Sequence, residues 1–188
     1  GVLPAVLAAQ QRGWTKAIVP AEQVGEAMLV EGVAVQGVAS LTELIAFLRG
    51  EPVACAPAPA SEDAPRPPGK DLADVVGQLE ARWALEVAAA GGHHVLLEGP
   101  PGVGKTLLAE RLPGLLPDLT TPEALEVSAI ASLSGVALGG ELVRRPPYAG
   151  PHHSASVAAL VGGGARIAQP GAISRAHRGV LFLDEAPE

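Results

Sequence analysis

The sequence predicts an α/β fold in which helices flank a parallel β-sheet. Two stretches far apart in the chain carry this expectation. Residues 95–112 combine a short apolar run, a glycine-rich turn and an amphipathic helix, and residues 180–185 form an apolar run that ends in two carboxylates. The first fifty residues also alternate between helix-like and strand-like runs. Such alternation is typical of parallel sheets with helices on their faces.

Within the first fifty residues, the periodicity predicts three helices and two strands. Ser40 is placed to cap the third helix, Glu43 lies at the capping-box position three residues later, and Gly50 ends the helix. Because the segment begins abruptly with a helix-forming run, we expect it to be the end of a larger domain. The expected elements are helix 6–11, strand 17–20, helix 21–30, strand 33–38 and helix 41–49.

Residues 51–70 are predicted to be an extended, semi-rigid linker between two domains. They contain six prolines and almost no side chain large enough to pack in a core. The single cysteine of the chain, Cys55, lies here and is most simply a free thiol. With one cysteine, neither an intrachain disulfide nor a cysteine zinc cluster can form.

Beyond the linker, the sequence predicts a helix from about residue 78 to residue 90, which Gly91 and Gly92 close. Pro113 and Pro117 interrupt the chain after the next helix, and the stretch 120–179 is less regular. The further expected elements are strand 95–97, helix 107–112, helix 154–161, hairpin 162–171, helix 172–177 and strand 180–183.

The glycine-rich turn matches the full G-x-x-x-x-G-K-[ST] phosphate-loop (Walker A) pattern. Glycines let the backbone wrap an anion, so the N–H groups from Gly102 to Thr106 can point at phosphates. Lys105 is expected between the β- and γ-phosphates of ATP, and the Thr106 hydroxyl is expected on Mg²⁺. A glycine-rich turn with an exposed lysine is the alternative, which the flanking strand and helix disfavour. The loop consists of Gly99, Pro100, Pro101, Gly102, Val103, Gly104, Lys105 and Thr106.

The apolar run 180–183 delivers Asp184 and Glu185 to the carboxyl edge of a predicted buried parallel strand (Walker B). We expect Asp184 to hold Mg²⁺, usually through water, and Glu185 to polarise the water that attacks the γ-phosphate. By itself the run fits a strand that enters an acidic turn equally well. Together with a phosphate loop it indicates an ATP hydrolase that binds ATP, ADP and Mg²⁺.

Composition restricts the remaining classes of function. Hydrophobic residues make up 48% and aromatic residues 3% of the chain, so the core must be aliphatic. The net charge of −7 argues against a broad basic surface for nucleic acid, although a local one is compatible with it. No apolar run approaches the ~20 residues that span a bilayer, and no basic secretion signal is present. We therefore expect a cytoplasmic protein without a membrane partner. The arginines for a local basic surface are Arg144, Arg145, Arg166, Arg175 and Arg178.

Two histidine pairs, His93-His94 and His152-His153, are candidate metal ligands. Adjacent side chains project in different directions, and no carboxylate or cysteine lies at a suitable spacing nearby. We therefore predict structural or capping roles for these histidines and no zinc site.

Several of these segments together resemble the magnesium-chelatase-like AAA+ ATPases of the YifB/ComM type. The resemblance covers nearly all of residues 71–188. Residues 1–50 resemble the end of the Lon-protease-like, ribosomal-S5-fold α+β domain that precedes the ATPase in that family. The segments that carry the ATPase resemblance are 74–78, 88–94, 99–106, 151–156, 170–177 and 179–185.

The resemblance implies a hexameric motor. ComM-type members drive branch migration of DNA, so DNA is implied as a partner, and a magnesium-chelatase subunit or a protein-remodelling ATPase is the alternative. By the same resemblance, residues 162–171, with Arg166, form a hairpin aimed at the central pore. The resemblance also places Val76, Gly77 and Gln78 near the adenine.

A Lon-like protease and a nucleotide-binding module without hydrolysis are the remaining alternatives. By the resemblance, Leu3 and Ala5 occupy the positions where Lon has lysines, so no general base can activate a serine there. Glu185 argues against a pure binding module. The chain ends three residues after Glu185, before the sensors, arginine finger and lid that the resemblance implies. We therefore expect these 188 residues alone to bind ATP weakly and to turn it over negligibly.

Overall fold

The structure is a computed structural model that describes residues 1–52, 69–164 and 168–185. It is a mixed α/β structure with short helices and, in the described ranges, three two-stranded sheets. The described residues group into two compact units. The first unit contains residues 1–52 and 124–143, and the second contains residues 69–123, 144–164 and 168–185.

The described helices and strands are mostly short, and three 3-10 turns accompany them. The helices are α1 (Leu3–Gln11), α2 (Val24–Ala27), α3 (Leu41–Leu48), α4 (Leu79–Gly91), α5 (Lys105–Ala109), α6 (Thr121–Leu133), α7 (Val157–Val161) and α8 (Ala172–Arg175). The strands are β1 (Lys16–Pro20), β2 (Ala34–Val38), β3 (Tyr148–Ala149), β4 (Gly162–Gly163), β5 (Gln169–Pro170) and β6 (Val180–Leu181). The 3-10 turns are Ala21–Gln23, Leu72–Asp74 and Leu112–Leu115. None of the helices in the described ranges combines the length and the apolar character needed to cross a membrane.

In the first unit, both predicted strands are confirmed and pair with each other. β1 and β2 run parallel in an unbroken register from Lys16 opposite Ala34 to Pro20 opposite Val38. Small and medium aliphatic side chains fill the core beside this sheet, as the low aromatic content requires. The buried core residues are Leu3, Val6, Val19, Val24, Ala27, Val30 and Ala129.

Residues 124–143 pack with the N-terminal segment in this unit through polar as well as apolar contacts. The Glu26 carboxylate accepts hydrogen bonds from the Leu3 N–H, at 3.1 Å, and from the Ser132 hydroxyl. Ser128 is fully buried, and its hydroxyl accepts a 2.8 Å hydrogen bond from the Val143 N–H. Buried polar groups destabilise a fold unless they are paired, and these contacts supply the pairing.

The predicted cap of α3 is confirmed with one difference in detail. The Ser40 hydroxyl accepts a 3.2 Å hydrogen bond from the Glu43 N–H. The Glu43 carboxylate accepts from the Ala39 N–H at 2.8 Å, one residue earlier than a capping box requires. Gly50 follows the helix with a φ of +79°, a conformation that favours glycine.

The predicted helix over 21–30 is wrong in extent. The segment forms a 3-10 turn and then only the four-residue α2. Gln23 lies between the two with a φ of −107° and a ψ of 5°, which interrupts the helical backbone. Gly25 also has a low helix propensity, so local preference does not extend the helix to Val30.

Helix α6 is the largest element that the sequence analysis did not predict. Its N-terminus carries a clear signal, because the Thr120 N–H and hydroxyl donate to the Glu123 carboxylate at 3.0 and 2.7 Å. These bonds lower the pKa of Glu123, the hydroxyl contributing most. Pro122 lies in the first helical turn, where its missing N–H costs nothing. The spacing of Thr120 and Glu123 is therefore a sequence signal for the start of α6.

In the second unit, helix α4 is confirmed, and Gly92 ends it in the left-handed conformation. The buried core of the second unit contains Leu72, Val75, Leu85 and Leu108. The predicted hairpin is confirmed where the structure describes it, since Gly162 and Gly163 pair antiparallel with Pro170 and Gln169. Arg166 lies outside the described residues, as do Cys55 and most of the predicted linker.

Three helices in the second unit differ from the predicted bounds. α5 starts at Lys105 and ends at Ala109, because the Arg111 N–H bonds the Leu108 carbonyl and so leaves the α-helical pattern. Pro113, which has no N–H, lies in the 3-10 turn that follows. α7 starts at Val157 because the Ser156 hydroxyl caps it by accepting from the Ala159 N–H. α8 matches the start of the predicted helix and ends at Arg175.

Two strand predictions in the second unit are wrong in part. Residues 95–97 form no strand, and Leu96 is 79% exposed, because no described segment pairs with them and ladder hydrogen bonds are needed to maintain a strand. The run 180–183 forms only the two-residue β6, which pairs parallel with β3. Leu183 is half-exposed, so the run is not a buried four-residue strand.

Candidate nucleotide-binding site

The phosphate loop depends on three glycines with positive φ. Gly99, Gly102 and Gly104 have φ values of +154°, +82° and +93°, which favour residues without a side chain. Gly104 is also the cap residue of α5, so the helix begins directly at Lys105. A Cβ at Gly104 would lie only 3.1 Å from the Gln78 amide nitrogen. The glycine pattern in the sequence is therefore a structural requirement of the loop.

Lys105 bends back over this loop. Its Nζ donates to the Gly99 carbonyl at 2.8 Å and to the Pro100 carbonyl at 3.2 Å. The Lys105 ammonium group is thus bound to carbonyls of the turn that precedes α5. Thr106 is the second residue of α5, and its side chain is exposed. The ammonium, the hydroxyl and the first N–H groups of α5 belong to one short stretch of chain.

Gln78 connects a second segment to the loop. Its side-chain amide donates to the Val103 carbonyl at 2.9 Å. Gly77 and Gln78 both have positive φ, at +75° and +49°, so the chain turns sharply before α4 begins. Val76 is 94% exposed in this turn. Residues 76–78, which the resemblance assigns to the adenine, therefore lie beside the phosphate loop.

The two acidic residues lie in a turn that Phe182 and Leu183 separate from the end of β6. Asp184 is half-buried and Glu185 is exposed. Glu185 has a φ of +52°, which is uncommon for a residue with a side chain. Its Oε2 lies 3.5 Å from Nδ1 of His153. The structure thus places a histidine beside the carboxylate that the sequence predicts to be the general base.

Tyr148 is a residue near the acids that sequence reasoning missed. Burial raises the pKa of Tyr148 to about 12, and the carboxylates of Glu110 and Asp184 add to the shift. Glu110 directly follows α5, so the phenol is affected by carboxylates from the end of the phosphate-loop helix and from the Asp184 turn. Its ring also stacks on Phe182 at a centroid distance of 6.4 Å. No motif marks this tyrosine, because its position follows from the pairing of β3 with β6.

The phosphate loop and the acidic turn, which are the two halves of the predicted site, share no direct polar contact in the described part of the chain. Among the described residues, no hydrogen bond or ion pair joins Lys105 or Thr106 to Asp184 or Glu185. The predicted strand 95–97, which would place the loop next to β6 in one sheet, is not formed. The loop and the acidic turn are therefore not joined by a direct polar contact, and the carboxylates of Glu110, which follows α5, and of Asp184 both act on the Tyr148 phenol.

The histidine pairs differ in their surroundings. The rings of His152 and His153 lie 4.0 Å apart, and His152 Nδ1 is 2.8 Å from the Ser154 hydroxyl. His93 packs near Gly91, and His94 is exposed. Within the described ranges, no three histidine, cysteine, aspartate or glutamate side chains converge closely enough to hold a metal ion.

The amino-acid sequence is similar to one known family and to several curated proteins. Residues 71–188 match the family model described as magnesium chelatase, subunit ChlI. An uncharacterized protein of Mycobacterium tuberculosis is 58% identical over 189 residues, which cover 100% of this chain and 37% of that protein. The competence protein ComM of Haemophilus influenzae is 45% identical, again over 100% of this chain and 37% of the relative. The uncharacterized protein YifB of Escherichia coli is 48% identical over 92% of this chain and 34% of the relative.

The chain therefore spans a little over one third of the length of these relatives. The family match begins at Asp71 and includes the phosphate loop, residues 162–171 and the acidic turn. On this evidence, the chain belongs to the magnesium-chelatase-like family of the YifB/ComM type.

Proposed function

We propose that this chain provides the ATP-binding and ATP-hydrolysing centre of an AAA+ motor of the YifB/ComM type. The observation that carries the proposal is the phosphate loop, in which three glycines shape the turn and Lys105 Nζ lies within hydrogen-bond distance of two loop carbonyls. The family match over residues 71–188 supports the same proposal, since the resemblance to magnesium-chelatase-like AAA+ proteins implies an ATPase.

The loop residues fit ATP with Mg²⁺. The turn has its shape because Gly99, Gly102 and Gly104 adopt positive φ, and the N–H groups at the start of α5 add donors for phosphate oxygens. Lys105 exchanges its carbonyl partners for the β- and γ-phosphates, and Thr106 offers its hydroxyl to the metal. Thr106 and Asp184 would hold Mg²⁺, and the metal would supply positive charge that neutralises the charge developing on the phosphates during transfer.

The acidic turn supplies the remaining groups. Asp184, which is half-buried, would hold the metal through water. Glu185 accepts a proton from the attacking water, which is why an exposed carboxylate at the end of β6 is useful there. Residues 76–78 form one wall of the adenine site, and the bond from Gln78 to the Val103 carbonyl fixes that wall against the loop.

The domain organisation is proposed on the same grounds. Residues 71–188 form the N-terminal part of an AAA+ module with a P-loop parallel sheet, residues 51–70 are a linker, and residues 1–50 end a Lon/S5-like domain. This domain is proposed to be proteolytically inactive. The burial of Leu3 in the core of the first unit supports that proposal, because an apolar side chain there supplies no base.

The whole protein is proposed to be a hexameric DNA translocase that acts in branch migration in the cytoplasm. Support comes from a relative that is named a competence protein and from the antiparallel pair at the base of the hairpin 162–171. A magnesium-chelatase subunit is the second candidate, which the name of the matching family model favours. The S5-like resemblance of residues 1–50 argues against it, because chelatase motor subunits lack that segment.

ATP hydrolysis by the intact protein tests these proposals, measured with and without single-stranded and branched DNA. Glu185→Gln serves as the blank. Stimulation by DNA would support the translocase, and a branch-migration assay would follow. Hydrolysis that is indifferent to DNA would favour the chelatase or a protein-remodelling ATPase, tested next with a porphyrin plus Mg²⁺. Absence of hydrolysis under all conditions would overturn the ATPase proposal itself.

A further inference from the structure

We propose that His153 is a positioning residue for Glu185, holding the carboxylate in place for hydrolysis. This inference rests on the proposed ATPase function. Nδ1 of His153 lies 3.5 Å from Oε2 of Glu185, and both side chains are about half-exposed, at 51% and 56%. Exposed contacts of this kind contribute little to the free energy of folding. The effect proposed for this contact is on the orientation of the Glu185 carboxylate.

Strand register places the two residues together independently of side-chain conformation. β3 and β6 are parallel neighbours in which Ala149 lies opposite Leu181. The pairing continues with a 2.9 Å hydrogen bond from the Phe182 N–H to the Ala149 carbonyl. His153 and Glu185 each follow their paired residue by four positions. Because parallel strands end at the same edge of a sheet, both loops leave that edge together.

Each partner is held by its own surroundings. Glu185 lies in a turn with a φ of +52°, a left-handed backbone conformation that residues with side chains seldom adopt. On the other side, the rings of His152 and His153 lie 4.0 Å apart. His152 is itself anchored, since its Nδ1 accepts from the Ser154 N–H at 3.3 Å and lies 2.8 Å from the Ser154 hydroxyl. The imidazole of His153 therefore has limited freedom beside the carboxylate.

This arrangement gives the two carboxylate oxygens different tasks. With a proton on Nδ1, the imidazole donates toward Oε2 of Glu185. Oε1 is then left to accept a proton from water while the water oxygen bonds to the γ-phosphorus and ADP leaves. A carboxylate with one oxygen fixed presents the other in fewer orientations, which raises the fraction of productive encounters.

Steady-state ATP hydrolysis by the intact protein tests the inference with substitutions of matched size. His153→Ala is expected to lower kcat about tenfold or more and to change KM for ATP less than about twofold. His153→Asn is expected to retain kcat within about threefold of wild type, because the amide Nδ2 lies where Nδ1 of the imidazole lies. His153→Gln moves the amide one bond further out and is expected to resemble His153→Ala. His94→Ala, the loss of an exposed histidine elsewhere, is expected to leave kcat and KM unchanged.

The outcomes separate this inference from the proposed function. Wild-type hydrolysis that Glu185→Gln stops, together with an unaltered kcat in His153→Ala, would overturn the role of His153 and leave the ATPase standing. Wild-type protein without hydrolysis would overturn both. A parallel loss of kcat in the asparagine and alanine variants would show that the amide does not replace the imidazole, which also contradicts the inference. Should His153→Ala fail to fold, equal kcat values for the asparagine and glutamine variants would be the contradicting result.

Discussion

The two units of the chain differ in where their backbone is unusual. In the described part of the first unit, every residue with positive φ is a glycine, such as Gly13, Gly32 and Gly50. In the second unit, three residues with side chains also have positive φ, namely Gln78, Arg178 and Glu185. Backbone in this region costs of order 1–3 kcal/mol per residue and tends to occur at functional sites.

The pairing of strands shows the same contrast. β1 and β2 share five paired residues beside an aliphatic core, whereas each sheet of the second unit shares only two pairs. The first unit is therefore built around packing, and the second is built around turns that present Lys105, Gln78 and Glu185. Under the proposed function, the chemistry belongs to the second unit and the longer strand pairing to the first, and four substitutions test that division.

The largest effect is expected for Glu185→Gln. Loss of a general base lowers turnover by about 10²–10⁴-fold, whereas ATP affinity should stay within about twofold because the phosphate loop is untouched. Single-turnover hydrolysis and nucleotide titration of the intact protein measure the two quantities. Glu80→Gln, an exposed acid on α4, is the control and should behave as wild type. Normal turnover in Glu185→Gln would place the base elsewhere.

The division between the units is tested next by Leu3→Ala. Leu3 is fully buried in the first unit, so its truncation should lower the free energy of unfolding by about 2–5 kcal/mol. ATP affinity should change little, because no phosphate-loop residue belongs to that core. Denaturant unfolding with parallel nucleotide titration measures both. Leu48→Ala is the control, since Leu48 is 69% exposed. A large loss of ATP affinity in Leu3→Ala would contradict the division.

Lys105→Ala should weaken ATP binding by about 10- to 100-fold, the size expected when a charged donor to phosphate is removed. Lys16→Ala is the matched control from the first unit, an exposed lysine on β1. Isothermal titration with ATP and with ADP compares the two variants. Equal affinities in both variants would show that the loop does not hold the phosphates.

The smallest expected effect concerns pH. Because the pKa of Tyr148 is raised from 10.0 to about 12 in the folded protein, the phenol stabilises the fold fully below pH 10. That contribution is lost as the pH rises toward 12, because the unfolded state ionises first. Tyr148→Phe should flatten the decline in stability over this range. The absorbance difference between wild type and Tyr148→Phe reports the ionisation directly, and a midpoint near 10 would contradict the raised pKa.

The sequence predicted best what depends on neighbours along the chain. The phosphate loop, the Ser40 cap and the end of α4 at Gly92 are local patterns, and the structure has a turn or helix end at each. Helix α6 was missed although its signal was also local, since Thr120 and Glu123 have the spacing of a capping box.

What the sequence did not predict depends on partners far along the chain. Residues 95–97 have the composition of a strand, but composition does not supply a neighbour to pair with. Tyr148 belongs to no motif, and the segment 151–156 around His153 does not by itself show that the histidine lies beside an acid. Both residues lie near Asp184 and Glu185 because β3 pairs with β6 across about thirty residues of sequence.

His153 and Glu185 each follow their paired strand residue, Ala149 or Leu181, by four positions. The contact between them therefore requires the two loops to have matched lengths. A substitution at an intervening position alters one side chain, whereas inserting one residue between Ala149 and His153 shifts the histidine out of step with the glutamate. A compensating insertion between Leu181 and Glu185 would restore the match. Insertions and deletions in these two loops should therefore be tolerated only in pairs, which is a rule for engineering this site as well as for reading its natural variation.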